Sequence, residues 1–343
     1  MFTRSRKDSS LARLEGLEIV LHKDILTMYG SSDESVGCIL RGALKFQILE
    51  PMKVKSISLS FNGKVKILTP AVTPLRELDL LEHKWTFLES EQDPYLLAPS
   101  NYEYNFELPL PGNLPESVEV PYGDISYNLL AIVERPGFKS DFKTEKKVDI
   151  QRAPLLFTDE LLHPNVATGI WQQKVGYCVS IPDTNYTVGQ TFPVHFNLLS
   201  LDPFLCITKV TAVMKEYVTC KFQGFRPMIK YHDVGRSSVL PNREQELVWD
   251  GSLNLEILKR ALYDCETDYI QVSHKLFLDI EVMEPTGEIQ TFRVQMKVGI
   301  QSSLQNELAQ SPPRYQPFSS FTGLPPPPYN FDMNPDYSHI LVI

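Results

Sequence analysis

The stretch Tyr102-Glu103-Tyr104-Asn105-Phe106-Glu107-Leu108-Pro109-Leu110 carries an apolar side chain at every second position, with a polar residue or proline between. A β-strand turns successive side chains to opposite faces, so this spacing describes a ribbon with one buried and one wet face. The same period of two extends outward on both sides. Upstream lie Leu40, Leu44, Phe46 and Ile48, then Ile57, Leu59, Phe61, Val65 and Ile67, with Ser58, Ser60, Asn62, Lys64 and Lys66 between the members of that second set. Downstream lie Ile125, Tyr127, Leu129, Ala131 and Val133, followed by Val175, Tyr177, Val179 and Ile181. Further runs begin at Phe192, Ile270 and Phe292. Turn chemistry separates them at Pro111-Gly112-Asn113, Pro136-Gly137, Val188-Gly189 and Pro285-Thr286-Gly287-Glu288. Helical periodicity is nearly absent, and only Ile257–Tyr263 reads as a helical turn. Many half-buried strands joined by short turns predict an all-β chain of two consecutive antiparallel β-sandwich lobes.

Breaks in the alternation set the expected boundaries. A flexible N-terminus (1–14) precedes a first lobe (15–152). A connector (153–168) contains Ala153-Pro154 and His163-Pro164-Asn165, and a second lobe (169–300) follows. Residues 301–343 read as a disordered proline-rich tail. From Ser311 onward eight prolines fall within 33 residues and no alternation remains, so this segment cannot build a core and favours extended polyproline-II.

Composition narrows the function. A length of 343 residues suffices for two cores, and a net charge of -9 argues against a protein that grips nucleic acid. Five cysteines, odd in number and never spaced C-x-x-C, fit neither a disulfide framework nor a zinc site. Met1–Gly16 has no apolar core of a secretory signal, and no apolar run is long enough to span a bilayer, so a cytoplasmic location is expected. Nucleophile-elbow, phosphate-loop and metalloprotease signatures are missing, so binding is expected rather than catalysis, with no cofactor or metal. A β-sandwich hydrolase or carbohydrate-binding protein is the competing class; it would need paired carboxylates or an exposed aromatic platform. His274 lies on the apolar phase between Val272 and Leu276, where a histidine is read as a hydrogen-bonded core residue.

The tail carries the clearest binding signal. Pro312-Pro313-Arg314-Tyr315 and Pro326-Pro327-Pro328-Tyr329 both match Pro-Pro-x-Tyr. Consecutive prolines pre-set an extended helix, so docking in an aromatic-lined groove such as that of a WW domain orders little new chain, and the tyrosine adds an amphipathic anchor. With eight prolines and three tyrosines in 33 residues, a random segment would contain about 0.16 such matches. The two tyrosines are 14 residues apart, a reach of about 43 Å in polyproline-II, which allows one tail to engage two WW domains. Asn334-Pro335-Asp336-Tyr337 matches an endocytic Asn-Pro-x-Tyr turn, with a plain turn as the simpler reading. Arg152 shares the phase of Val148 and Ile150; it is read either as a solvated strand end or as an inward charge at the lobe junction that requires carboxylate partners. Lys143, Lys146 and Lys147, with the Arg4–Lys7 run, are candidate contacts to an anionic membrane, although such runs are more often solvated faces.

An ordered set of segments also resembles the α-arrestin family of trafficking adaptors. In the first lobe these are Val36-Gly37-Cys38-Ile39-Leu40, Glu50-Pro51-Met52-Lys53-Val54, Ile57–Gly63, His83-Lys84-Trp85-Thr86-Phe87, Tyr102–Leu110, Leu114-Pro115-Glu116-Ser117 and Ile125-Ser126-Tyr127. In the second they are Val175-Gly176-Tyr177, Ile181-Pro182, Tyr186-Thr187-Val188-Gly189 and Val272–Leu276. The resemblance implies an arrestin-like fold over roughly residues 15–300. It also implies an adaptor whose Pro312, Pro313, Tyr315, Pro326, Pro327 and Tyr329 recruit a WW-domain HECT-type ubiquitin ligase to membrane transporter or receptor cargo. It further implies recruitment to the plasma membrane and endosomes, and places Arg152 where the family has an arginine of a buried charged core. A signalling or retromer-like scaffold using the lobes alone is the alternative within this fold.

Overall fold

The structure is a computed structural model that describes residues 14–68, 76–89, 93–153, 165–241 and 247–302. Its regular elements are all strands. The first lobe comprises β1 (Leu14–Leu21), β2 (Ile25–Tyr29), β3 (Cys38–Ile48), β4 (Met52–Val54), β5 (Ser56–Ile67), β6 (Arg76–Leu88), β7 (Tyr95–Leu97), β8 (Ser100–Leu110), β9 (Val118–Val120), β10 (Gly123–Glu134) and β11 (Phe142–Ala153). The second comprises β12 (Asn165–Trp171), β13 (Val175–Ile181), β14 (Asn185–Tyr186), β15 (Thr191–Ser200), β16 (Cys206–Cys220), β17 (Met228–Val239), β18 (Val248–Glu256), β19 (Cys265–Glu266), β20 (Ile270–Met283) and β21 (Ile289–Ile300).

Each lobe packs a small sheet on a larger one. In the first, β1-β3-β8 faces β2-β11-β10-β5-β6; in the second, β12-β13-β15-β18 faces β14-β21-β20-β16-β17. The larger sheets share one plan: a short early strand pairs in parallel with the lobe's last strand, β2 on β11 and β14 on β21. These two parallel pairs depart from the expected antiparallel sandwich. The alternation fixes which side chains point inward but carries no information on strand direction.

The inward phases form the cores. Leu40, Leu44, Leu59, Phe61, Val65, Leu129 and Val133 are fully buried in the first lobe, and Val175, Val194, Leu198, Val210 and Leu276 in the second. Ile257–Tyr263, read as a helical turn, is not helical. Ile257 is an inward anchor of the second core, and a single turn closes where Ala261 N–H donates to the Leu258 carbonyl at 2.9 Å. The ladder of β11 reaches Ala153, and β12 starts at Asn165 opposite Ile181, so strand pairing occupies both ends of the expected 153–168 connector.

The two lobes are packed on one another. The strands β16 and β20, of 15 and 14 residues, outrun their own sandwich. Their far ends, Val218, Cys220, Ile270 and Val272, join the apolar cluster of the first lobe together with Cys265. The Arg76 guanidinium of β6 lies 5.0 Å from the Phe225 ring centroid across the same junction.

Candidate functional site

All the tail residues singled out above, Pro312, Pro313, Tyr315, Pro326, Pro327 and Tyr329 as well as Asn334, Pro335 and Tyr337, lie outside the described residues, as does the Arg4–Lys7 run. The last described residues are held in place: Ile300 ends β21, and Gln301 N–H donates to the Tyr186 carbonyl at 2.8 Å. The described residues place two buried polar groups at the lobe junction.

The first is built around Arg152. The side chain is half-buried, and its guanidinium reaches three backbone carbonyls: Gly30 beyond β2 at 3.0 Å, and Gly112 and Leu114 in the loop after β8, the latter at 2.8 Å. Arg152 is thus directed inward, with backbone carbonyls around its guanidinium and its charge acting on the carboxylate of Glu116. These carbonyl oxygens accept from Nη1 and Nη2, while the neighbouring carboxylate of Glu116 accepts the Arg152 backbone N–H at 3.3 Å. Two further contacts hold the 111–117 loop: Tyr127 Oη donates to the Pro115 carbonyl at 2.7 Å, and Ser117 Oγ accepts the Ile150 N–H at 3.0 Å. Gly63 makes room for that tyrosine, because a Cβ there would stand 2.6 Å from the Tyr127 ring.

Glu116 faces across the junction. The residue is 8% exposed, and its carboxylate also faces the backbone N–H of Glu266 in β19 of the second lobe, which acts to lower its pKa. Burial pushes its pKa up to about 7, against the lowering effect of the two N–H groups and the Arg152 charge.

The second group interrupts the inward face of β16 and β20. Glu216 and His274 are direct cross-strand neighbours. Val218 and Val272 beyond them belong to the first lobe's cluster, and Met214 and Leu276 before them belong to the second's. The pair is thus a polar seam between two apolar cores. Both side chains have no exposed surface, and His274 Nε2 stands 3.2 Å from Glu216 Oε2. His274 Nδ1 contacts Asp264 Oδ1, and that carboxylate also accepts the Ile300 N–H at 3.2 Å. Leu262 N–H donates to Glu216 Oε2 at 2.7 Å, and His232 Nε2 on β17 lies 3.1 Å from Oε1 without hydrogen-bond alignment. An ionised carboxylate only accepts, so a carboxylate on each ring nitrogen favours the imidazolium form of His274. Burial works to lower its pKa, but the bonds and charges of Asp264 and Glu216 hold it above the usual histidine value. Burial likewise pushes Glu216 up, yet the His274 bond, the Leu262 N–H and the two histidine charges bring it below the ordinary glutamate value.

His274 was expected as a hydrogen-bonded core residue, and that is its position. The phase-breaking Glu216 was missed, although it follows Val210, Ala212 and Met214 on an inward phase and carried a readable signal. Asp264 and Glu116 sit in loops, where alternation has nothing to say.

Other features fit a ligand less well. Strand alternation splits the β11 lysines. Lys146 turns to the opposite face from Lys143 and Lys147 and pairs with Asp24 at 3.4 Å, while Glu145 shares the face of the other two. A cavity of about 520 Å³ beside the 117–126 segment is lined by Glu119, Asp124 and Asp149 against Lys147, a balance unsuited to a phosphate. Among the described residues no set of His, Cys, Asp and Glu side chains is arranged to hold a metal ion.

Comparison with known sequences agrees with the two-lobe geometry. Residues 34–153 match the "Arrestin (or S-antigen), N-terminal domain" and residues 171–305 the "Arrestin (or S-antigen), C-terminal domain". An arrestin domain-containing protein of Schizosaccharomyces pombe is 28% identical over 312 residues, covering 86% of this chain and 52% of the relative. The probable HECT-type ubiquitin ligase-interacting protein creD of Aspergillus fumigatus is 26% identical over 316 residues, covering 84% of this chain and 52% of the relative. The chain therefore spans about half the length of the curated relatives it matches. With both domain matches falling on the two sandwiches and in the same order, the chain belongs to the arrestin family, as a member of its α-arrestin branch.

Proposed function

We propose that this chain is a non-enzymatic, cytoplasmic adaptor. In this reading the Pro-Pro-x-Tyr motifs ending at Tyr315 and Tyr329 bind the WW domains of a HECT-type ubiquitin ligase. The two lobes hold a membrane transporter or receptor, which is then ubiquitinated, endocytosed and sorted, the adaptor being recruited peripherally to the plasma membrane and endosomes. The observation that carries it is the pairing of two such motifs with two arrestin domains in one chain. The printed name of the Aspergillus relative, an interactor of HECT-type ubiquitin ligases, supports the same partner.

Two motifs on one segment make the second contact intramolecular, so avidity exceeds either affinity by about a hundredfold or more where a ligase presents adjacent WW domains. The test is titration of the full chain with a tandem WW fragment. Substituting Tyr315→Ala or Tyr329→Ala alone should weaken binding by roughly tenfold or more, and the double substitution should abolish it. Unchanged affinity in the double variant would discard the ligase-recruiting role and leave a scaffold that acts through its lobes.

A further inference from the structure

Glu216 and His274 sit on the boundary where β16 and β20 pass from one apolar core to the other. Apolar residues in both positions would merge the cores into one, so the polar pair gives this boundary a chemistry the rest of the two strands lacks. The segment that caps it is tied at several points. Leu262 N–H binds Glu216, Asp264 N–H donates to the Ile300 carbonyl at 2.8 Å, and the Asp264 carboxylate meets His274. Two residues later, the Glu266 N–H faces the buried carboxylate of Glu116 of the first lobe closely enough to lower its pKa.

We propose that His274, held between Glu216 and Asp264, is a proton-operated clamp on the lobe junction: as the imidazolium it fixes the Leu262–Glu266 segment against the second lobe, and through Glu266 it fixes Glu116 of the first.

The groups facing the ring are few. Glu216 comes from β16, with His232 of β17 behind it; Asp264 comes from the capping segment; β21 contributes Val298 opposite His274 and the Ile300 N–H on Asp264. Loss of the ring proton leaves one nitrogen lone pair directed at a carboxylate and removes the charge that balances two acids in a desolvated seam. Glu216 has no exposed surface, whereas the Asp264 side chain is 35% exposed. Asp264 is therefore the partner that turns to water, carrying the capping segment with it. The direction follows from the raised His274 pKa: the clamp is closed at and below the ordinary histidine range and opens as pH rises through the higher folded value. Glu116, whose pKa of about 7 is also raised, works in the same sense, since its neutral form sits in the junction at least cost.

The experiment uses the full chain, with imidazole ¹⁵N shifts and hydrogen exchange followed between about pH 6 and about pH 9.5, rates being corrected for intrinsic exchange. His274 should carry protons on both nitrogens at the acid end. Protection of peptides covering 262–270 and 111–117 should fall by roughly tenfold or more as that signature is lost. His274→Gln should be weakly protected in both peptides with most of the response gone; Asp264→Asn with the same readouts serves if that variant does not fold. A singly protonated His274 throughout, wild-type protection that is flat with pH, or a full response retained in the variants would overturn the proposal.

Discussion

The two lobes follow one sheet plan, yet they bury charge at their junction in opposite ways. In the first lobe, Arg152 extends from the last strand into the carbonyls of Gly30, Gly112 and Leu114. Backbone carbonyls have no proton to gain, so the cage holds the guanidinium through dipoles, and the Glu116 carboxylate beside it is the group through which this site feels pH. In the second lobe, His274 is held by the carboxylates of Glu216 and Asp264, so the central group is itself the one whose protonation matters. The difference shows that the arrestin sandwich does not dictate the chemistry of its junction. A buried polar group needs partners, and the kind of partner decides whether the site responds to pH.

The contrast is most exposed to test at Arg152. Arg152→Met removes the donors from three carbonyls at once and should cost about 3 kcal/mol in urea-induced unfolding, with the larger loss at about pH 8, where ionised Glu116 also loses the guanidinium charge beside it. A smaller loss at about pH 8 than at about pH 6 would show that the guanidinium does not act on the Glu116 carboxylate.

A smaller effect is expected at Glu116, which sits between the two systems. Its folded pKa of about 7 lies above the ordinary 4.5. Its contribution is therefore fully present below the unfolded value and is lost as pH rises through the folded one. Glu116→Gln cannot ionise, so its stability relative to wild type should improve by on the order of 2 kcal/mol between about pH 5 and about pH 8. Parallel pH profiles of the two proteins would show that Glu116 is not strained by burial.

The smallest effect should come from the surface. Arg41 and Glu107 pair at 2.8 Å across β3 and β8 with side chains 49% and 54% exposed, where solvent screens the interaction. Arg41→Ala should change stability by less than about 0.5 kcal/mol at low salt and by less still at high salt. A larger loss there would mean that the junction is not the place where charge matters most in this molecule.

Much of this was legible residue by residue. The period-two runs through Ile57–Ile67, Ile125–Val133 and Phe192–Leu198 became inward faces, because one buried face on a strand enforces that spacing in the sequence. The inward phase of Arg152 and His274 could be read in the same way. Their partners could not. Gly30 lies 122 positions from Arg152, and every residue offers a carbonyl, so no side-chain pattern marks the three that form the cage. Asp264 is only ten positions from His274, but it meets the ring because the chain turns back at Thr267–Ile270, where Thr267 Oγ1 accepts the Ile270 N–H at 2.9 Å. Ile257–Tyr263 shows the converse error, since a helical reading of that stretch overlooked that Ile257 is claimed by the core.

The amino-acid sequence alone determined the strand faces, the two-sandwich class and the position of the paired proline motifs, since each depends on neighbours within a few residues along the chain. Strand direction, the overrun of β16 and β20 into the opposite lobe, and the meeting of Glu216, His274 and Asp264 were decided only in three dimensions. Burial removes water from polar groups wherever the chain happens to converge, and the partners that must replace that water are chosen by proximity in space rather than in sequence.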